Sequence, residues 1–260
     1  MFEKSKLLRS PHAFATRVGG VSRLEHTKSL NLAFRRGDES EIVLENLKIF
    51  AGEAGFKPEN VVSYPQIHSD RIFKVDRANA GEGYFKTDSI PEGDGYITNE
   101  RGIVLGIKTA DCTPILFEAE KDGEIVAVGA VHAGWRGTVA KIAPKCVQML
   151  CEEFDVKPES IRAAIGPCIH KCCYEVGGDF PCAVSGALGE EIAEKFITND
   201  GDRLVCDLVG LNFHLLLDCG VLPENIDVVD ECTCCNPNKY FSHRYSKGHR
   251  GTMLNVIYMS

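Results

Sequence analysis

Three times along this 260-residue chain a Pro-Glu turn stands between a helical repeat of apolar residues and a β-branched run. The three are KPENVVSYPQ at 57–66, KPESIRAAIG at 157–166 and LPENIDVVD at 222–230. Proline cannot extend the helix before it, and valine and isoleucine favour the pleated backbone after it. The preceding helical periods are SEIVLENLKIFAGEAG (40–55), TVAKIAPKCVQMLCEEF (138–154) and LVGLNFHLLLDCG (208–220). Pro144 marks an irregularity in the second, while Asp207 and Gly220 are the expected caps of the third. Strand-like runs lie at 61–69, 95–111, 114–120, 124–132, 161–167 and 253–259. Strands outnumber helices and their order is mixed, with no linker or repeat between them. The expectation is therefore an α/β chain, one domain over 1–260, with mixed β-sheets flanked by helices in α/β/β/α layers.

A formal charge of −8 and a pI near 5.5 argue against a nucleic-acid surface. No apolar run approaches the roughly 20 residues that span a bilayer, so no membrane partner is expected. Twelve cysteines in a small exported chain would read as a disulfide framework. Here the N-terminus MFEKSKLLRSPHAF has no apolar signal core, and a cytoplasmic protein with reduced thiols is expected, as a monomer or homodimer.

The segment V-H-A-G-W-R-G (131–137) follows the apolar run EIVAVGAV and holds the sole tryptophan. On a buried strand, His132 would stand at the carboxyl end, where open α/β sheets place ligands. Gly134 and Gly137 allow a close backbone approach, Thr138 is a candidate cap, and Arg136 would reinforce an anion site. The alternative is an ordinary strand–helix turn with a satisfied histidine and a core tryptophan. Two further segments add chemistry. A-D-C-T-P (110–114) sets Asp111 and Cys112 between two strand-like runs, and QIHS (66–69) places Gln66 and His68 on one face of an expected strand. One thiolate and two imidazoles from three segments suit a catalytic zinc, which takes three protein ligands and leaves one position open. Asp111 is the candidate carboxylate to orient a ligand.

FATRVGGVS (14–22), NLAFRRGDE (31–39), QIHS, ADCTP, HAGWRG (132–137), AIGPCI…YEVG (164–177) and ECT…FSHR (231–244) occur in that order. Together they resemble the family labelled multicopper polyphenol oxidase, or laccase-domain proteins, from about Phe14 to Tyr258. That family is associated with purine nucleoside phosphorylase and adenosine deaminase activity. The resemblance implies zinc at His68, Cys112 and His132, with copper the lesser alternative, and Cys112, His132 and Asp111 at the catalytic centre. It implies Arg17, Asn31, Arg136 and Arg244 in the pocket for a purine nucleoside and phosphate, the nucleosides being adenosine, inosine, guanosine or methylthioadenosine. FSHRYSKGHRG departs from the family pattern: Tyr245 replaces an expected second arginine, and Arg250 follows His249 instead of a glycine.

Three other readings compete. Oxidation of phenols by several coppers needs a histidine-rich ligand supply, and the eight histidines include no H-x-H pair. Cys112 as a nucleophile beside a histidine would make a hydrolase, for instance one editing peptidoglycan precursors. Finally, C-x-x-x-C-C (168–173) and C-x-C-C (232–235) jointly offer four thiolates for a structural zinc; Cys172, Cys173, Cys234 and Cys235 exceed the family pattern.

Overall fold

In a computed structural model of residues 1–260, the apolar runs separate onto two stacked sheets. In chain order the elements begin with β1 (Phe2–Glu3), β2 (His12–Ala15), α1 (Ser40–Ala54), β3 (Val61–Val62), β4 (Ile72–Lys74), β5 (Gly95–Thr98) and β6 (Val104–Thr109). They continue with β7 (Thr113–Lys121), β8 (Glu124–Ala133), α2 (Trp135–Val139), α3 (Ile142–Phe154) and β9 (Ile161–Ile165). The last third holds α4 (Phe180–Leu188), α5 (Glu190–Phe196), β10 (Ile197–Asp200), β11 (Arg203–Cys206), α6 (Leu208–Asp218), β12 (Ile226–Val228) and β13 (Met253–Tyr258).

One sheet runs β1-β2-β13-β6-β3 and the other β12-β9-β7-β8-β5-β4. Each joins antiparallel neighbours to a parallel edge pair, β3 with β6 in the first and both β4–β5 and β9–β12 in the second. The expected α/β/β/α layering follows from where the apolar side chains go. Val43, Leu47 and Phe50 of α1 pack on Val104, Leu254 and Val256 of the first sheet. Between the sheets, Phe14, Leu105 and Ile257 meet Leu116, Val128 and Ala164. On the outer face of the second sheet, Ile115, Phe117 and Val131 pack under Cys146, Val147 and Leu150 of α3 and Leu216 of α6. Neighbours on β7 thus alternate between the two layers, and burial on both faces explains why its sequence reads as an unbroken apolar run. At about 25 cal/mol per Å2, each such large side chain contributes roughly 1.5–3 kcal/mol.

Each Pro-Glu segment forms a short 3-10 turn, at Pro58–Asn60, Pro158–Ser160 and Pro223–Asn225, leading into β3, β9 and β12. Asp207 caps α6, accepting from the Gly210 N–H at 2.8 Å, and Gly220 follows the helix at φ 97°. The 138–154 helix differs from expectation by breaking into α2 and α3 with Lys141 at φ 60° between them. Pro144 explains the break: it sits in the first turn of α3, and a continuous helix would drive its ring into the Ala140 carbonyl. Thr138 therefore lies inside α2, where its hydroxyl meets Ala133 O and Asn212 instead of capping a helix.

The run at 61–69 is a strand only as far as Val62. Pro65 has no N–H to donate, and the Gln66 side chain continues the pairing: its Nε2 donates to Lys108 O at 2.8 Å, and Lys108 N donates to its Oε1 at 2.7 Å. His68 then takes a left-handed conformation, φ 59°, on a loop. The expected placement of Gln66 and His68 on one face of a strand does not hold.

Candidate metal centre and active site

Cys112 is carried on the turn between β6 and β7, two strands in different sheets. His132 lies near the carboxyl end of β8, opposite Pro114 of β7. Because β7 and β8 are antiparallel, Cys112, which follows the carboxyl end of β6, stands at the amino end of β7 beside His132. The His68 loop supplies the third group. The ligand atoms of His68, Cys112 and His132 lie within 4.8 Å of one another. Cys112 Sγ is 3.8 Å from His68 Nε2, and the two imidazoles meet edge to face at 4.8 Å between centroids.

The carboxylate that organises this site is Asp94, which the sequence reading missed. It is fully buried in the turn before β5. Its Oδ1 accepts from His132 Nδ1 at 2.8 Å and from the His68 N–H at 3.1 Å. Its Oδ2 accepts from the N–H of Ile67 and of Ser69, and from the Ser69 hydroxyl at 2.6 Å. One side chain therefore folds the His68 loop and turns His132 so that Nε2 is the free nitrogen. Asp111, the expected carboxylate partner, does something else. At φ 99° it accepts from Thr233 Oγ1 and from the Arg244 N–H, both at 2.7 Å, and so ties the Cys112 turn to the C-terminal loops.

The electrostatics follow from these contacts. Burial opposes the Cys112 thiolate, but the His132 charge and hydrogen bonds from both histidines outweigh it and lower the thiol to about 6. Burial likewise opposes a charged His132, yet the Cys112 thiolate and Asp94 raise it to about 9. Asp94, buried but held by His132 and Ser69, falls to about 2. Without a metal the site is an imidazolium–thiolate pair resting on a carboxylate. A soft donor set of one thiolate and two imidazoles suits a borderline divalent ion such as zinc.

Gly134 has a spatial reason for being glycine. A Cβ there would lie 2.9 Å from His68 Cδ2 and 3.1 Å from Cys112 Sγ. Gly134→Ala is expected to spread these groups and weaken metal affinity by roughly 10–100-fold, the scale of damage to supporting groups around a metal. A competitive chelator titration measures it; wild-type affinity in a folded variant would contradict the packing argument.

The three residues open onto a cavity of about 340 Å3 whose walls divide by chemistry. Phe34, Pro65 and Ile90 give apolar surface, while Arg35, Arg36, Lys108 and Arg250 give positive charge. None of these four cations makes an ion pair. Burial, then the charge of Arg36, lowers Lys108 to about 8 and Arg250 to about 10. Arg250 Nη1 donates to Thr252 Oγ1 at 2.7 Å, and its buried Nε has no partner. Like charges gathered without a carboxylate make an anion site.

The arginines and asparagine expected in the pocket lie outside this lining. Arg17 donates to the carbonyls of Lys28 and Pro237 and covers Phe241, joining the loop before α1 to the loop before β13. Buried Asn31 joins Ala33, Asp38 and Thr252. Arg136 is exposed and lies over its neighbour Trp135, whose ring packs edge-on against Phe180. Arg244 donates to the carbonyls of Cys173 and Glu175. Among the cations at the cavity, Arg35 and Arg36 stand in the segment NLAFRRGDE, whereas Lys108 and Arg250 had weaker signals: Lys108 is the one charge in the apolar stretch GIVLGIKTA, and Arg250 stood in the departing C-terminal segment.

A family model for multi-copper polyphenol oxidoreductase laccases matches residues 11–260. Purine nucleoside phosphorylase YlmD of Geobacillus stearothermophilus is 35% identical over 244 residues, 93% of this chain and 87% of that protein. Adenosine deaminase RL5, from an unknown prokaryotic organism, is 31% identical over 258 residues, 98% of this chain and 96% of that protein. The crystal structure of YlmD from Geobacillus stearothermophilus shares the fold with a TM-score of 0.89 at 30% identity, covering 100% of this chain and 99% of that one. With sequence and fold matched over nearly its whole length, this chain belongs to the multi-copper polyphenol oxidoreductase laccase family.

Proposed function

We propose that this chain is a zinc-dependent purine nucleoside phosphorylase that also deaminates adenosine. The observation carrying the reading is one cavity that joins a three-ligand metal set to unpaired cations and an apolar wall. His68, Cys112 and His132 would hold the ion. When bound, it would supply Lewis-acid chemistry to a substrate in the cavity. Arg36, Lys108 and Arg250 bind the phosphate, with the free Arg250 Nε donating to an oxygen. Phe34, Pro65 and Ile90 take the base and keep water from its faces. Asp94 fixes the His132 tautomer throughout by accepting at Nδ1. Phosphorylase relatives such as YlmD and the deaminase RL5 support purine nucleosides as the substrate class. Several coppers fit poorly, since His68 and His132 are the only histidines in any group with metal-binding geometry.

Incubating adenosine with the purified protein tests the reading. Adenine formed only with phosphate marks phosphorolysis, and inosine formed without phosphate marks deamination; neither product, with metal in place, contradicts it. Arg250→Ala should raise the KM for phosphate by about 10–100-fold, since a charge-assisted hydrogen bond contributes roughly 1.5–3 kcal/mol. Lys108 loses its charge as pH rises through about 8, so that KM should climb above this pH in the wild type. A flat KM from neutral pH to well above 8 would remove Lys108 from the phosphate site.

A second reading has its own observation. Cys112, His132 and Asp94 stand in the order of a nucleophile, a base and its orienting acid. A thiolate held at about 6 would attack a carbonyl in the absence of metal. Zinc and this chemistry compete for the same sulfur.

A further inference from the structure

A second group of thiols lies outside the cavity, and it does not depend on the purine reading. The Sγ atoms of Cys172, Cys173, Cys232 and Cys235 all fall within 4.8 Å of one another. Cys172 and Cys173 are 3.8 Å apart, Cys172 and Cys235 3.5 Å, and Cys173 and Cys235 3.3 Å. Four thiolates on one tetrahedral zinc stand about 3.8 Å apart, as Zn–S bonds of about 2.3 Å require. No pair among them is bonded as a disulfide. An iron–sulfur cluster would hold at least some of these cysteines farther apart, since it divides them between two irons or among four.

The structure also selects among the cysteines. Neither Cys168 nor Cys234 belongs to the group. The chosen pair on the second loop, Cys232 and Cys235, is therefore a C-x-x-C pair, the common spacing at structural zinc, hidden in the sequence by Cys234. Each pair rides on a hydrogen-bonded turn: Cys173 N donates to His170 O at 2.9 Å, and Asn236 N to Cys232 O at 3.2 Å. The His170 N–H donates to Cys232 Sγ at 3.4 Å, the type of contact that supports a thiolate on a metal.

We propose that these four cysteines form a second, structural site for a single thiophilic divalent ion, zinc by preference. Binding converts the thiols to thiolates and releases their protons to solvent. The ion would clamp segments 168–175 and 231–236, which lie outside the two large sheets and meet at an isolated parallel bridge between Cys168 and Cys232. Both lean on Asp111: the Ile169 N–H donates to its carbonyl, and the Thr233 hydroxyl to its carboxylate. The clamp thus steadies the turn that presents Cys112 without touching the cavity.

The test is zinc content of the full chain expressed with zinc, in the wild type, His132→Ala and Cys172→Ser/Cys235→Ser. Two zinc ions per chain in the wild type and one in each variant are expected. His132→Ala loaded with Co2+ should show intense ligand-field and thiolate-to-cobalt bands of a tetrahedral four-thiolate ion. A single zinc in the wild type that the double serine variant retains, or Co2+ without those bands, overturns the proposal. Should the double variant not fold, thiol titration of zinc-loaded His132→Ala decides. Four thiols that react only after chelator is added support the site, and no chelator-dependent thiols overturn it.

Discussion

Cys112→Ala is expected to lose the cavity metal and to lower kcat/KM for nucleoside phosphorolysis by roughly a thousandfold or more. A Lewis acid contributes several kcal/mol to the transition state, and each ~1.4 kcal/mol is tenfold in rate. The fold should survive, because Cys112 is only half-buried on a turn whose shape is set by Asp111 and its partners. Far-UV circular dichroism, metal content and rate on one preparation check all three. Cys112→Asp separates the two roles open to this sulfur. A carboxylate still ligates zinc, so a ligand role leaves measurable metal and activity. A nucleophile role leaves none, and metal-free wild type would then be the more active form.

Asp94→Ala should be the most damaging change that removes no ligand. It leaves the N–H groups of Ile67, His68 and Ser69, and Nδ1 of His132, without their acceptor in a buried setting. Removing one partner of a buried charged pair costs about 3–5 kcal/mol. Metal affinity should fall by about 10–100-fold as both histidines lose their orientation. Denaturant unfolding and a chelator titration measure the two effects. The acid limb of stability carries the same signature. The folded Asp94 carboxyl is held at about 2, below its ordinary value near 3.9. Its contribution is present above about pH 4 and is lost as pH falls toward 2. Asp94→Asn keeps the shape without the charge, so metal-free protein should show a shallower loss over that window. An unchanged acid limb would mean that Asp94 is not held as its contacts require.

The layers were legible because burial writes itself into period and length. The runs that became β7, β8, β9 and β13 are apolar on both faces, and the three Pro-Glu turns marked the junctions into β3, β9 and β12. The split of residues 95–111 between two sheets was not legible, since β5 and β6 have the same composition and differ only in their partners. Elements α4, α5, β10 and β11 pack in a small cluster of their own, where a short amphipathic pattern is weak. At the site, His68, Cys112 and His132 stood out as one thiol and two imidazoles in three segments of unusual composition, and the structure brings them together. Asp94 did not stand out, because an aspartate in G-D-G before a strand looks like turn chemistry until its hydrogen bonds are seen. The arginines expected to bind substrate lie outside the lining of this cavity. Arg17 and Arg244 stand in segments that resemble the family, but their guanidinium groups bind backbone carbonyls, a use of arginine that leaves no mark on the sequence.

One thiolate and two imidazoles are expected to hold a single ion in the cavity. Zinc-edge X-ray absorption on the Cys172→Ser/Cys235→Ser protein reads that ion alone, since this variant removes the other thiolate group from the signal. One zinc per chain with one sulfur and two imidazole nitrogens in its first shell is the expected result. A protein that purifies without zinc and binds none, or a zinc shell without sulfur, would contradict it.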